Sequence, residues 1–181
     1  MKALLLIDIQ NDYFPGGRME LSGSEAAGLN AGKLLDAFRK NKMPVFHIQH
    51  ISVRPNAAFF LPHTKGVNIH DSVAPIPGEP VIQKNFPNSF RETNLLEMLR
   101  EADIGSLVAA GMMTQMCVDT TVRAAADLGL ACQLVHDACA ARDLTFAGRH
   151  VAAVDVQTAF MAALNGLFAE VLDTEAICSS F

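Results

Sequence analysis

The sequence lacks the features of a nucleic-acid-binding or membrane protein. Its 14 Lys and Arg residues form no basic run, and 19 Asp and Glu residues bring the formal net charge to −5. This acidity argues against nucleic acid or an anionic membrane as the main partner. No apolar stretch approaches the ~18 residues of a membrane span. The N-terminal run "MKALLLIDIQND" is interrupted by Asp8 and has no small-residue cleavage site, so it predicts a strand and no signal peptide.

Cysteine is absent from the first 116 residues, and the four cysteines that follow have no C-x-x-C spacing. This pattern argues against a disulfide scaffold or a zinc site and predicts a reduced, cytoplasmic protein. The turn "DIQNDYFPGG" after the first apolar run contains no G-x-G-x-x-G, which argues against a dinucleotide site. Half of the 181 residues are hydrophobic and 18% are charged, so residues 1–181 are predicted to form a single globular domain.

Short apolar runs alternate with longer amphipathic ones along the chain. Six strands are predicted, at 3–8, 44–50, 80–84, 105–111, 131–139 and 169–174, and four helices, at 24–41, 91–103, 115–129 and 146–168. Residues 51–80 have no period and hold five prolines, which predicts a long ordered loop of functional importance. The alternation favours an α/β fold: a parallel sheet covered by helices on both faces in three α/β/α layers.

Three reactive residues are predicted at the carboxyl ends of strands, where ligands bind in sheets of this kind. Asp8 ends the first strand, Lys84 ends the third, and Cys117 follows the fourth at the start of its helix. A helix N-terminus and a nearby lysine both favour a thiolate, which is the nucleophilic form of cysteine. A carboxylate can take the thiol proton and return it to a leaving amine. The three residues therefore predict a nucleophilic cysteine site.

Each of the three residues also has a structural interpretation. A lone cysteine in an apolar segment is more often a small core residue. Asp8 could be a turn residue and Lys84 a solvated charge, and Cys132, Cys139 and Cys178 are given structural roles.

Four segments in the same order resemble the isochorismatase-like cysteine hydrolases, which include nicotinamidases, carbamoylsarcosine amidohydrolases and ureidoacrylate amidohydrolases. They read "LLLIDIQNDYF", "PGEPVIQKNFPNSFRETNLLEML", "LVAAGMMTQMCVDTTVRAAADLG" and "LVHDACAAR" and cover nearly the whole chain. His150 also falls where this family often has a helical histidine. The family fold is a six-stranded parallel sheet flanked by helices, Rossmann-like in outline.

The resemblance implies that Asp8, Lys84 and Cys117 form a catalytic triad that needs no cofactor. It implies a cis peptide bond at Met112–Met113, and an oxyanion hole made by the N–H groups of Met113 and Cys117. The expected reaction is hydrolysis of a C–N bond in a small amide, carbamoyl compound or ureide through a thioester on Cys117. Family members are commonly dimers or tetramers, so a homo-oligomer is expected.

The substrate pocket is expected to be lined by aromatic residues, by Met113 and by the polar end of the second strand. The residues expected near the site are Phe14, Gln49, His50, Phe59, Phe60, Phe86 and Met113. The family's nicotinamidases bind a metal through a D-x-H arrangement, but the corresponding segment here is "HIQH". No metal site is therefore predicted, although His47, His50 and His63 could bind a cation.

Two alternative functions stay open at this point. One is isochorismatase-type hydrolysis of a vinyl ether, which would depend on Asp8 but not on Cys117. The other is a non-catalytic relic of the fold that binds a ligand or responds to redox state.

Overall fold

A computed structural model describes all residues, 1–181, and is built around a six-stranded parallel sheet. Its strands are β1 Lys2–Ile7, β2 Val45–His50, β3 Val81–Lys84, β4 Ser106–Met112, β5 Ala131–Ala140 and β8 Glu170–Leu172, and β6 and β7 form a separate hairpin. In spatial order the strands of the sheet are β3, β2, β1, β4, β5 and β8. This confirms the predicted α/β class and the six-stranded sheet. The order reverses between β1 and β4, so the switch point of the sheet lies between their carboxyl ends.

Five α-helices cover the two faces of the sheet. They are α1 Ser24–Lys40, α2 Leu95–Glu101, α3 Asp119–Asp127, α4 Ala153–Leu164 and α5 Thr174–Cys178. Side chains of β1 alternate between two cores: Leu4 and Leu6 pack with α1 and α5, whereas Leu5 and Ile7 pack with α2, α3 and α4. Both faces of the sheet are therefore buried, as its near-continuous apolar strands require. No helix is both long and apolar enough to cross a membrane.

The predicted helix over 146–168 is wrong in its first part. There the chain forms an antiparallel hairpin of β6 Leu144–Phe146 and β7 Arg149–Val151, and α4 begins only at Ala153. The hairpin turn consists of Ala147 and Gly148, both with positive φ, which is the geometry that suits a two-residue hairpin. His150 consequently lies on an exposed strand and not on a helix.

The other helix predictions need smaller corrections. The predicted helix 91–103 is shortened to α2, because Glu92 has a positive φ and residues 91–94 form turns. The predicted helix 115–129 starts as a π-helical turn, Thr114–Val118, and becomes α3 at Asp119. The short helix α5 was not predicted; Asp173 caps it by accepting a hydrogen bond from the Ala176 N–H.

The long segment between β2 and β3 is ordered by polar contacts with the residues that follow β1. Gln10 pairs with Ile69 in an isolated antiparallel bridge. The buried carboxylate of Asp12 accepts hydrogen bonds from the N–H groups of Phe60 at 2.6 Å and Arg18 at 3.2 Å. The segment is thereby held across the carboxyl end of the sheet, above the strand ends that carry the reactive residues.

Candidate active site

Two of the reactive residues meet across three strands. Asp8 directly follows β1 with φ +51°, and its N–H donates to the carbonyl of Ile48 in β2. Lys84 ends β3, which is separated from β1 by β2, and its side chain reaches past His50 to place Nζ 2.7 Å from Asp8 Oδ2. Both side chains are fully buried. A buried carboxylate and a buried ammonium are each costly alone, so the two charges depend on each other.

Cys117 lies beside this pair, in the π-helical turn between β4 and α3. Its Sγ is within 4.8 Å of a carboxylate oxygen of Asp8 and of a ring nitrogen of His50. Asp8 Oδ1 is buried and has no hydrogen-bond partner, so it offers an acceptor for the thiol proton. The three predicted triad residues are thus brought together at the switch point of the sheet.

The electrostatics of Cys117 differ from the expectation that its thiol would have a low pKa. Burial raises the pKa of the Cys117 thiol, the negative charge of Asp8 raises it further, and Lys84 lowers it. The first two effects outweigh the third, so the resting site holds a thiol. A nucleophilic thiolate must therefore form by proton transfer, and the adjacent acceptor is Asp8.

Lys84 remains a cation in this buried position. Burial alone would lower the pKa of Lys84, but Asp8 and Cys117 outweigh it and raise the pKa. The ammonium also donates to the carbonyls of Phe86 at 3.1 Å and Pro87 at 3.2 Å. These contacts fix Nζ in place beside the carboxylate and the thiol.

His50 is a neutral member of the cluster beside the Lys84 ammonium. Its Nδ1 is 3.3 Å from Lys84 Nζ, and burial lowers the pKa of the imidazole. Because an ammonium can only donate, its contact with Nδ1 favours the tautomer that carries the ring hydrogen on Nε2. The buried Gln10 side chain fixes the His50 backbone by accepting from its N–H at 2.8 Å and donating to its carbonyl at 3.0 Å.

The turn that carries Cys117 starts with a close approach of β4 to β1. Gly111 pairs with Ile7 and has φ +148°, and a Cβ at this position would lie 2.1 Å from the Ile7 carbonyl oxygen. The peptide bond between the two residues that follow, Met112 and Met113, is cis. The N–H groups of Met116 and Val118 then donate to the Met113 carbonyl, which closes the turn around Cys117.

A cavity of about 290 Å³ opens onto the Cys117 side chain. Its lining is Tyr13, His50, Ser52, Arg54, Pro55, Asn56, Ala57, Ala58, Phe59, Phe60, Pro87, Met113, Met116 and Cys117. Among the residues predicted near the site, His50, Phe59, Phe60 and Met113 contribute to this lining. The cavity is near the lower end of ligand-pocket sizes, which suits a small molecule.

The placement of three predicted substrate contacts is corrected by the structure. Phe14 is buried and stacks on His70 at 3.5 Å between ring centroids, outside the cavity. The Gln49 side chain bonds to Val67 and Gln83, because it points to the opposite side of β2 from the cavity wall formed by His50. The Phe86 ring lies under the Arg91 guanidinium at 3.6 Å, and only its carbonyl contacts the site, through Lys84.

Several residues at the site were missed by the sequence analysis. Tyr13 and Arg54 line the cavity, and Gln10 and Asp12 hold the segments that form its walls. Gln10, Asp12 and Tyr13 all belong to the "DIQNDYF" segment, so its polar spacing was an available signal. Arg54 lies in an aperiodic loop and carried no such signal.

The three histidines considered as cation ligands do not converge. His47 is buried and bonds to Glu79 at 3.0 Å, and His63 lines a separate cavity beside β2. Asp8, His50 and Cys117 are close enough for their ligand atoms to hold a metal ion. Lys84 Nζ, however, already contacts both Asp8 and His50, so its ammonium supplies the positive charge in this cluster.

The chain matches the isochorismatase domain family over residues 2–176. It belongs to the isochorismatase family. The isochorismatase family protein YddQ of Bacillus subtilis (strain 168) is 53% identical over 174 residues, which span 96% of the chain and 97% of YddQ. A crystal structure of an isochorismatase hydrolase from Oleispira antarctica superposes with a TM-score of 0.95 at 46% identity, covering 98% of the chain and 96% of that protein.

Relatives with named activities are hydrolases. A streptothricin hydrolase of Streptomyces noursei is 31% identical over 170 residues, which span 94% of the chain and 58% of that enzyme. Less similar relatives include a ureidoacrylate amidohydrolase of Rhizobium rhizogenes, 27% identical, and a nicotinamidase of Arabidopsis thaliana, 26% identical. The chain is accordingly an isochorismatase-family hydrolase.

Proposed function

We propose that the protein is a cysteine hydrolase that cleaves a C–N bond in a small amide, carbamoyl compound or ureide. The observation that carries the proposal is the buried Asp8–Lys84 ion pair beside the Cys117 thiol, at the floor of a small cavity. Burying a carboxylate, an ammonium and a thiol in contact costs stability. Such clusters are therefore typical of functional sites. Amidohydrolases among the relatives support the same reaction class.

The reaction begins with formation of a C–S bond. Cys117 Sγ attacks the carbonyl carbon as its proton passes to Asp8, whose Oδ1 has no other partner. The positive charge of Lys84 stabilises both the developing thiolate of Cys117 and the carboxylate of Asp8. The negative charge that moves onto the substrate oxygen is stabilised by the N–H groups of Met113 and Cys117, in the manner of an oxyanion hole.

The second half of the reaction releases both products. Asp8 returns the proton to the nitrogen as the C–N bond breaks, so ammonia or an amine leaves and a thioester remains on Cys117. Asp8 then takes a proton from a water molecule that attacks the thioester carbonyl. Breaking the C–S bond releases the acid and restores the thiol, with no cofactor in any step.

A screen for ammonia release from a panel of small amides and ureides tests the proposal. We expect turnover by the wild-type protein and its loss, by at least about 10³-fold, in Cys117→Ser. Cys132→Ser is the matched control, because this cysteine is buried on β5 away from the cavity. Full activity in Cys117→Ser would refute the proposal.

The same variants separate the two alternative functions. Vinyl-ether hydrolysis would survive Cys117→Ser but not Asp8→Asn. A non-catalytic relic would release no ammonia from any member of the panel, and its Cys117 would alkylate at a rate insensitive to substitution of Asp8 or Lys84.

A further inference from the structure

The lining of the cavity carries an excess positive charge that has no role in the proposed reaction. Of the residues that line it, only Arg54 carries a full charge at neutral pH, and none is acidic. Asp8 lies below Cys117, but Lys84 neutralises it at 2.7 Å. The cavity is therefore net positive, although the chain as a whole has a formal charge of −5.

Arg54 is free to bind a ligand. Its side chain is exposed at the cavity mouth and makes no hydrogen bond or ion pair within the chain. Its guanidinium presents paired N–H donors whose geometry matches a carboxylate. An arginine with no internal partner beside a reactive cysteine is available for an anionic group of the substrate.

The loop that carries Arg54 is held in position. The N–H of Ser52 donates to the Phe60 carbonyl at 2.9 Å, which closes the loop over residues 52–60. At its base the Phe60 N–H donates to the buried carboxylate of Asp12 at 2.6 Å. Ser52 and Asn56 of the same loop also line the cavity and add hydrogen-bonding groups near Arg54. The cavity mouth is thus preorganised and polar, whereas Phe59, Phe60 and Met113 make its wall apolar.

We propose that the substrate carries a carboxylate in addition to the scissile C–N bond, and that Arg54 is the residue that selects for it. The carboxylate binds Arg54 at the mouth, the carbon chain packs against Phe59 and Phe60, and the scissile carbonyl reaches Cys117. The inference rests on the proposed function, since it takes Cys117 as the reacting atom. Its first test does not depend on turnover.

Alkylation of Cys117 by two matched reagents measures the selection directly. Iodoacetate and iodoacetamide both form a C–S bond and release iodide, but only iodoacetate carries a carboxylate. The ratio of their rate constants cancels the intrinsic reactivity of the thiol. The rates are measured on the folded protein by mass spectrometry of the peptide that contains Cys117.

We expect the iodoacetate-to-iodoacetamide ratio to fall roughly three- to tenfold in Arg54→Ala, the size expected for loss of one unit charge near the site. Arg54→Lys retains the charge and is expected to keep most of the ratio. Arg149→Ala, which removes an exposed arginine from β7, is the matched control and leaves the ratio unchanged. Added salt lowers the wild-type ratio by screening.

An unchanged ratio in Arg54→Ala, or an equal fall in Arg149→Ala, would overturn the inference. Turnover of 4-carbamoylbutanoate and of its methyl ester gives a second test. We expect a higher kcat/KM for the carboxylate, through a lower KM, and loss of this preference in Arg54→Ala. Equal kcat/KM values for the two compounds would overturn the inference while leaving the proposed function intact. Absence of turnover together with a fallen alkylation ratio would count against the proposed function alone.

Discussion

At the scale of single residues, the site depends on a pair of buried charges that no solvent screens. Asp8 and Lys84 are 2.7 Å apart with side chains fully removed from water, and the Cys117 thiol lies beside them. In such a cluster the charge on one member sets the protonation of the next. Asp8 raises the pKa of the Cys117 thiol and Lys84 lowers it, and in the proposed mechanism Asp8 is the base that generates the thiolate.

Removing either charge is predicted to change Cys117 reactivity in opposite directions. Lys84→Met removes a cation that lowers the thiol pKa, so alkylation by iodoacetamide at pH 8 slows. Asp8→Asn removes an anion that raises the pKa, so alkylation speeds up while ammonia release is lost. Rates from pH 6 to 10 are followed on the Cys117 peptide. Equal rates in both variants and the wild type would contradict the assigned electrostatics.

Gly111 is predicted to be intolerant of any side chain. Its φ of +148° and the 2.1 Å approach of a Cβ to the Ile7 carbonyl force β4 away from β1 in Gly111→Ala. We expect a loss of roughly 2–4 kcal/mol in the free energy of unfolding, measured by urea denaturation. Gly105→Ala is the matched control, because a Cβ there contacts nothing within 4 Å. Similar losses in the two variants would contradict this account.

At the scale of elements, β3 depends on a polar clamp that orders the segment before it. Glu79 accepts from Arg39 on α1 at 2.8 Å and bonds to His47 on β2 at 3.0 Å. It also accepts from the Ile76 N–H at 3.1 Å. Because β3 starts two residues later and ends at Lys84, the clamp connects a loop contact to the buried ammonium of Lys84.

The clamp predicts a specific acid sensitivity. Hydrogen bonds from Arg39 lower the pKa of Glu79 from 4.5 to about 2, so its contribution to stability is complete above pH 4.5 and is lost as pH falls towards 2. In Glu79→Gln the unfolding temperature is expected to fall less steeply across this range. Glu92→Gln, at an exposed ion pair, serves as control and follows the wild type. A Glu79→Gln slope equal to that of the wild type would contradict the prediction.

The secondary-structure elements differ in how well the sequence pattern predicts them. Strands β1, β3 and β4 were predicted within one residue at their carboxyl ends, because buried parallel strands are continuous apolar runs, and this placed Asp8 and Lys84 correctly. The hairpin at 144–151 was missed because its short strands merge with the helical pattern that follows. Arg54 was missed because its loop is placed beside the cavity by tertiary hydrogen bonds of Ser52 and Phe60. Such contacts leave no periodic pattern in the sequence.

At the scale of the whole molecule, the strand order explains why residues far apart in sequence form one site. The order reverses between β1 and β4, and the helices that follow these strands, α1 and α3, pack on opposite faces of the sheet. Asp8 and Cys117 follow the two strands on either side of this reversal, and Lys84 reaches it from β3. A cavity outside the carboxyl ends at such a point is the general ligand position of this architecture.

Self-association remains a prediction at this scale. Phe146, Val154 and Leu167 are 84%, 68% and 81% exposed, and association with a second copy of the chain would remove such apolar surface from water. Light scattering at micromolar concentration is expected to give a mass that is a multiple of 19.5 kDa. A mass of one chain would contradict the expected homo-oligomer.

In the proposed reaction Cys117 carries the acyl group during hydrolysis, so that group can be trapped on the protein. An amide that the protein hydrolyses is mixed with the protein, and the reaction is quenched in acid within milliseconds to seconds. The protein is then digested and the masses of its peptides are measured by mass spectrometry. We expect the peptide that contains Cys117 to gain the mass of the acyl group in the steady state and to have lost it once hydrolysis is complete. Product formation with no acyl mass on Cys117, together with undiminished turnover in Cys117→Ala, would contradict the proposed reaction.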